Sequence, residues 1–226
     1  MPVSSNYEKL VKDIVENKNA KLVIKSMITG DYVVFPAFLT SFNQSFTSTW
    51  NEEDVYGRMD PIATFQNTRR SISLAFDVPS SNLLTAKDNL KECDTLTKFL
   101  YPGYQRQLDR SESAFYDMNN QVDPRSLGQS LGYLINAPPL VSVKFANLIT
   151  AGGSNPGAAA SGGQLGYLQG LEWTPVLEMG MFSDGKNNLY PKVISLSFTL
   201  NVLHQDDKGW ENNKWIKGSN GFFGGT

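Results

Sequence analysis

His204 is the single histidine of this 226-residue chain and Cys93 its single cysteine. A hydrolase working through an imidazole base needs that ring beside a serine or cysteine nucleophile, and no Gly-x-Ser-x-Gly elbow supplies one. One histidine cannot build a histidine-rich metal centre. One cysteine leaves neither an intrachain disulfide nor a multi-thiolate site, and no Asp-x-Asp-x-Asp-Gly calcium loop occurs. His204, near the predicted end of a strand, therefore reads as a structural or interface residue. Glu52-Glu53-Asp54 with Asp60 are the nearest approach to a glycosidase carboxylate pair. Adjacent acids on an extended chain point to opposite faces, however, and an aspartate before a proline shapes a turn. Asp206-Asp207 ahead of Gly209-Trp210 likewise reads as a hairpin or strand end. The glycine-rich run at 151–164, AGGSNPGAAASGGQ, lacks the Gly-Lys-Ser/Thr ending that positions a lysine and a magnesium-binding hydroxyl, so it reads as a flexible loop. The expectation is a chain without catalytic centre, cofactor or metal.

The elements that would position these residues are mostly strands. In 189–210 the apolar Ile194, Leu196, Phe198, Leu200 and Val202 alternate with Ser195, Ser197, Thr199 and Asn201. Side chains on a strand point alternately to its two faces, so this is a long half-buried antiparallel-type strand. Residues 70–78 repeat the pattern with Ile72, Leu74, Phe76 and Val78. Pro79-Ser80-Ser81-Asn82 ends that strand and offers N-cap oxygens to a helix reaching about residue 100, with Leu83, Ala86, Leu90, Cys93 and Thr97 as its apolar stripe. Further strands are expected at 21–28, 31–40, 43–50, 139–148 and 165–178. A turn falls at Gly30-Asp31, and Pro36 is confined to an edge or bulge. A short helix is expected over 5–16. The polar stretch 105–137 has too few apolar residues for its own core and reads as a long excursion from a single domain spanning 1–226.

Composition narrows the class. Hydrophobic residues make up 40% and charged residues 19%, the latter below the roughly 25% of ordinary soluble domains, as in many all-β and assembly-forming proteins. The net charge of −2 exerts no global pull on nucleic acid, and Arg69-Arg70 with Arg58 is far short of a phosphate-tracking stripe. The segment MPVSSNYEKLVKDIVENKNAK carries no apolar run behind a basic end and does not read as a signal peptide. No stretch reaches about 18 apolar residues, so no membrane partner is expected.

Two blocks in this order carry a resemblance. Residues 46–80 contain Phe46, Trp50, Val55-Tyr56-Gly57-Arg58 and Asp60-Pro61 before a strand; the late block contains Tyr190-Pro191-Lys192, then Val202-Leu203-His204 through Gly209-Trp210. Between them lie Leu100-Tyr101-Pro102, Asn136-Ala137-Pro138-Pro139 and Phe145-Ala146-Asn147-Leu148-Ile149. The chain from about Phe42 to Trp210 resembles the tail-tube-fold baseplate proteins of contractile-tailed bacteriophages. The 151–164 loop and the 105–137 segment have no counterpart in that pattern.

The resemblance implies a mainly β fold with a flanking helix: an antiparallel β-sandwich or rolled sheet of tail-tube type. It implies a virion protein, made in the host cytoplasm, of which six copies close into a ring of the baseplate inner tube. That ring joins the central hub or spike to the tail tube, templates tube assembly and passes genome DNA through its lumen without binding it. Tyr56, Gly57, Arg58, Asp60, Pro61, His204, Trp210, Phe222 and Phe223 are the expected subunit-interface residues. Arg58 stands out, because a turn explains Gly57, Asp60 and Pro61 but not an always-charged planar fork. The alternative is a carbohydrate-binding β-sandwich of a receptor-binding or adhesion protein, with Tyr56, Trp173, Trp210 and Trp215 as stacking platforms.

Overall fold

The structure, a computed structural model, describes residues 21–36, 38–106, 133–146, 148–150, 162–205 and 208–215. The expected helix at 5–16, the body of the polar excursion, most of the glycine loop, Asp206-Asp207 and Phe222-Phe223 lie outside the described residues. The fold is mainly β with one long helix. Seven antiparallel strands form its main sheet: β1 (Lys21–Ser26), β2 (Tyr32–Pro36), β3 (Phe38–Glu53), β4 (Ile62–Pro79), β7 (Val141–Phe145), β8 (Gln164–Pro175) and β11 (Val193–Val202). Their spatial order is β2-β1-β7-β8-β11-β4-β3.

That order forces the sheet to curl. β2 and β3 are its two edges, yet Ala37 alone separates them in sequence. The edges must therefore meet at that corner, which makes this a rolled sheet. Phe35 of β2 packs on Phe76 of β4 at 5.9 Å between ring centroids, and Phe76 packs edge-to-face on Phe198 of β11 at 6.2 Å. Alternation explains the core: every second residue of β11, from Ile194 to Val202, is buried, as are Ile72, Leu74, Phe76 and Val78 of β4. Pro36, which has no N–H to donate, lies on edge strand β2 as its chemistry requires. Gly166 of β8 fits a different constraint, since a Cβ there would lie 2.3 Å from the Asn201 carbonyl oxygen of β11.

Helix α1 (Leu83–Lys98) begins at Asn82, whose side-chain oxygen accepts from the Thr85 N–H at 2.8 Å, the N-cap the sequence predicts. Its buried row is Ala86, Asn89, Cys93 and Leu96: Ala86 and Cys93 belong to the expected stripe, whereas its Leu83, Leu90 and Thr97 are only partly buried, so the face is rotated toward Asn89 and Leu96. Asn89 accounts for the rotation: its amide donates to Ser80 Oγ (3.0 Å) and to the Pro79 carbonyl (3.3 Å) at the end of β4. Burial pushes the Cys93 thiol up to about 12, which leaves it inert as a nucleophile.

Several boundaries differ from the sequence reading: the strand expected at 31–40 is divided between β2 and the start of β3, and the one expected at 139–148 is the shorter β7. The polar excursion leaves and returns through a two-stranded ribbon, β5 (Gly103–Arg106) with β6 (Tyr133–Ala137), so its ends are regular rather than irregular. The 165–178 strand stops at Pro175 and gives way to a 3₁₀ turn at Leu177–Met179, and a short hairpin, β9 (Met181–Ser183) with β10 (Leu189–Pro191), packs near α1. The predicted strands at 43–50 and 70–78 are parts of two much longer ones, β3 and β4, the first reaching into the exposed outer half and the second confined to the inner half.

Candidate functional site

β3 and β4 pair from Phe38↔Asp77 out to Glu53↔Ile62. Their inner halves belong to the sheet; past Ser45 and Ser71 nearly every residue is exposed. Nine residues of β3, Ser45 to Glu53, thus form one side of a two-stranded arm, roughly 30 Å long at the usual rise per residue. The sequence builds the arm by local pairing alone. Thr, Ser and Asn keep the strands extended and solvated, and a bulge between Thr49 and Trp50 adds twist.

The arm is not simply polar. Phe46, Trp50 and Phe65 are each about half exposed, and Trp50 meets Phe65 edge-to-face at 5.3 Å. At the tip Tyr56 and Met59 are fully exposed. Aromatic surface of this extent is expensive to leave in water, which makes the arm the candidate contact surface.

Arg70 anchors the root. Its residue is 3% exposed, the last of the inward row that runs through Ile72, Leu74 and Phe76. One guanidinium nitrogen donates to Gln44 Oε1 of β3 at 2.9 Å and the other to Gln164 Oε1 of β8 at 3.3 Å. The Gln44 amide in turn donates to the Leu148 carbonyl at 3.4 Å, and the Phe46 ring lies 5.6 Å from the guanidinium carbon. The fork so joins the arm to the body, and burial lowers its pKa without depriving it of charge.

The tip is a tight turn. The Arg58 N–H donates to the Val55 carbonyl at 3.2 Å, and Gly57 takes φ +84°, a left-handed conformation that glycine adopts without strain. Tyr56, Gly57, Arg58, Asp60 and Pro61 therefore share one exposed loop. Arg58 does not lock this loop from inside: among the described residues the ion pairs are Lys87–Asp184 and Lys98–Asp94.

The other expected interface residues are not gathered there. His204 follows the last residue of β11 rather than lying within the strand, and is largely exposed. Partial burial, then the positive charges of Arg70 and Lys208, lower its pKa. Trp210 is exposed in a small hairpin, β12 (Trp210–Glu211) with β13 (Lys214–Trp215), directly opposite Trp215 in the pairing. Trp173 lies on β8 and Tyr56 on the arm loop, so the four aromatics expected of a sugar platform are spread over three parts of the chain.

The outward face of β4 and β11 is a lawn of small hydroxyls, with Ser73 and Thr199 hydrogen-bonded at 3.1 Å. A shallow depression of about 270 Å³ there is lined by Ser41, Ser73, Glu172, Ser197 and Thr199 beside Gly170. Glu172 is its one ionisable group, unaccompanied by a second acid, a base or a nucleophile among the lining residues. Among the described residues no three His, Cys, Asp or Glu side chains cluster as a metal site would need, and no helix is long and apolar enough to cross a membrane.

Sequence reasoning missed the exposed arm positions of Phe65 and Met59 and the anchoring position of Arg70. The available signal was the absence of core-grade alternation on both sides of VYGRMDP. Two pairing strands without a buried face must project. No protein-family model matches the chain, and no curated protein sequence matches it.

Proposed function

We propose that this protein is a structural component of a contractile phage tail. Six copies form a ring of the baseplate inner tube, between the central hub and the tail tube, and the ring templates tube assembly. The observation that carries the reading is the arm: a solvated two-stranded projection with aromatic side chains and a partner-seeking arginine has no role in stabilising its own core. The sheet also has two unequal edges, β2 and the much longer β3, whose hydrogen-bonding groups strand pairing between copies satisfies. The hydroxyl face, whose ionisable groups Glu172 and Asp77 are acids, fits a surface past which a polyanion slides without sticking, since phosphate affinity comes from lysine and arginine. The order of sequence blocks described above supplies the specific assignment to a phage baseplate.

Light scattering on the purified chain, alone and mixed with the hub protein of the same virus, tests this beside a glycan-array measurement. Ring-sized particles on mixing support the proposal. A chain that stays monomeric with the hub present and binds glycans points instead to a carbohydrate-binding module.

A further inference from the structure

A second exposed apolar patch lies away from the arm, around the turn between β1 and β2. Met27, Ile28 and Tyr32 are exposed there. The β5–β6 ribbon adjoins them, since a Cβ on Gly103 would lie 3.4 Å from Ile28 Cγ2, and it contributes Tyr104 and Ile135, which are exposed on paired strands. Asp31, exposed at the turn, bonds through its backbone N–H to Thr29 Oγ1 at 3.2 Å, and its carboxylate is in no ion pair among the described residues. Lys25 lies directly opposite Tyr32 in the β1–β2 register, so both project on one side.

Patch and arm are different surfaces at opposite edges of the sheet order, and each presents both signs of charge. The arm loop carries Arg58 amid Glu52, Glu53, Asp54 and Asp60; the patch carries Asp31 and Lys25. A contact between two unlike surfaces of one chain is head-to-tail, which closes into a ring where the rotation between copies allows it, rather than a two-fold dimer. The size is adequate. The four arm aromatics leave on the order of 500 Å² to cover, most of one partner's share of a standard interface of about 800 Å².

We infer that the arm of one copy docks on the β1–β2 turn and β5–β6 ribbon of the next copy, with Arg58 paired to Asp31 across the contact. The inference rests on the homo-oligomer part of the ring reading and specifies how its copies meet. The pairing also gives Arg58 a partner of the planar carboxylate type that a guanidinium fork prefers.

The test is covalent capture, which needs only transient contact. Full-length chain carrying p-benzoylphenylalanine in place of the fully exposed Tyr56 is mixed with isotopically heavy wild-type chain, irradiated, and mapped by mass spectrometry. Light-to-heavy cross-links into residues 25–32, 101–104 or 133–137 are expected. Arg58→Asp and Asp31→Arg should each lower their yield at least about 10-fold, and the charge-swapped double variant should recover most of it. Cross-links that run arm to arm, or elsewhere on the body, overturn the docking while leaving self-association intact. Patch cross-links unaffected by the charge changes overturn the Arg58–Asp31 pair. An absence of any inter-copy cross-link up to the solubility limit, both for the chain alone and with the hub protein of the same virus added, overturns the docking and the ring reading together.

Discussion

Phe198 and Ser197 are adjacent on β11 and face opposite worlds, the first buried among Phe76 and its neighbours, the second lining the hydroxyl depression. Phe198→Ala should cost about 3–5 kcal/mol through lost burial and the cavity left behind. Ser197→Ala should cost less than about 0.5 kcal/mol, and denaturant melts of the two variants measure both. His204 supplies a pH test of the body. Its folded pKa lies below the ordinary 6.5, so the fold favours the neutral ring. The stability tied to that neutral state is present above the unfolded pKa and is lost as pH falls below about 6.5 toward the lower folded value. A His204→Gln variant should therefore melt less steeply with acidification between pH 7 and 5 than wild type. Identical pH profiles would remove the charge environment assigned to His204. Arg58 behaves differently from both, because it is in no ion pair among the described residues. Arg58→Ala should leave monomer stability within about 1 kcal/mol while abolishing assembly; a lowered melting temperature with normal assembly would show an internal lock instead.

At the scale of elements, two glycines make opposite predictions about the same substitution. Gly166→Ala drives a methyl group into the Asn201 backbone and must part β8 from β11 in the middle of the sheet, at a cost of about 1–3 kcal/mol or more. Gly57→Ala meets open space, and only the positive φ opposes it, at a cost of about 1–2 kcal/mol confined to the arm tip. Global melting should therefore register Gly166→Ala, while Gly57→Ala should surface mainly in assembly. Hydrogen exchange on the two variants distinguishes sheet from tip. β11, the inner part of β4 and the capped start of α1 were legible in the sequence because their alternation or capping chemistry is a direct record of burial. The arm was legible as the strand expected at 43–50 and as its turn; its return strand was not, since residues 62–69, IATFQNTR, are held by cross-strand hydrogen bonds that side-chain periodicity does not report. The helix face was read correctly at Ala86 and Cys93 but not at Asn89, which is polar by type and buried by two hydrogen bonds to residues before the helix. Arg70 was legible as a basic residue but not as the anchor it is, because its partners Gln44 and Gln164 come from distant parts of the chain.

The whole molecule joins a small, well-filled rolled sheet to a projection that the sheet does not need. That division is the physical basis of the proposed ring. The core fixes the direction of the arm through Arg70, and the arm, with the patch around the β1–β2 turn, offers each copy one surface to give and one to receive. Low overall charge removes much of the electrostatic repulsion between copies, and the outward hydroxyl face of β4 and β11 offers little purchase for phosphate. Negative-stain electron microscopy of the full chain, mixed with the hub protein of the same virus, tests the central claim most directly. The account predicts closed six-fold rings, each about six times the 25.0 kDa mass of one chain. Particles that remain single chains, or that form two-fold dimers joined arm to arm, would contradict it.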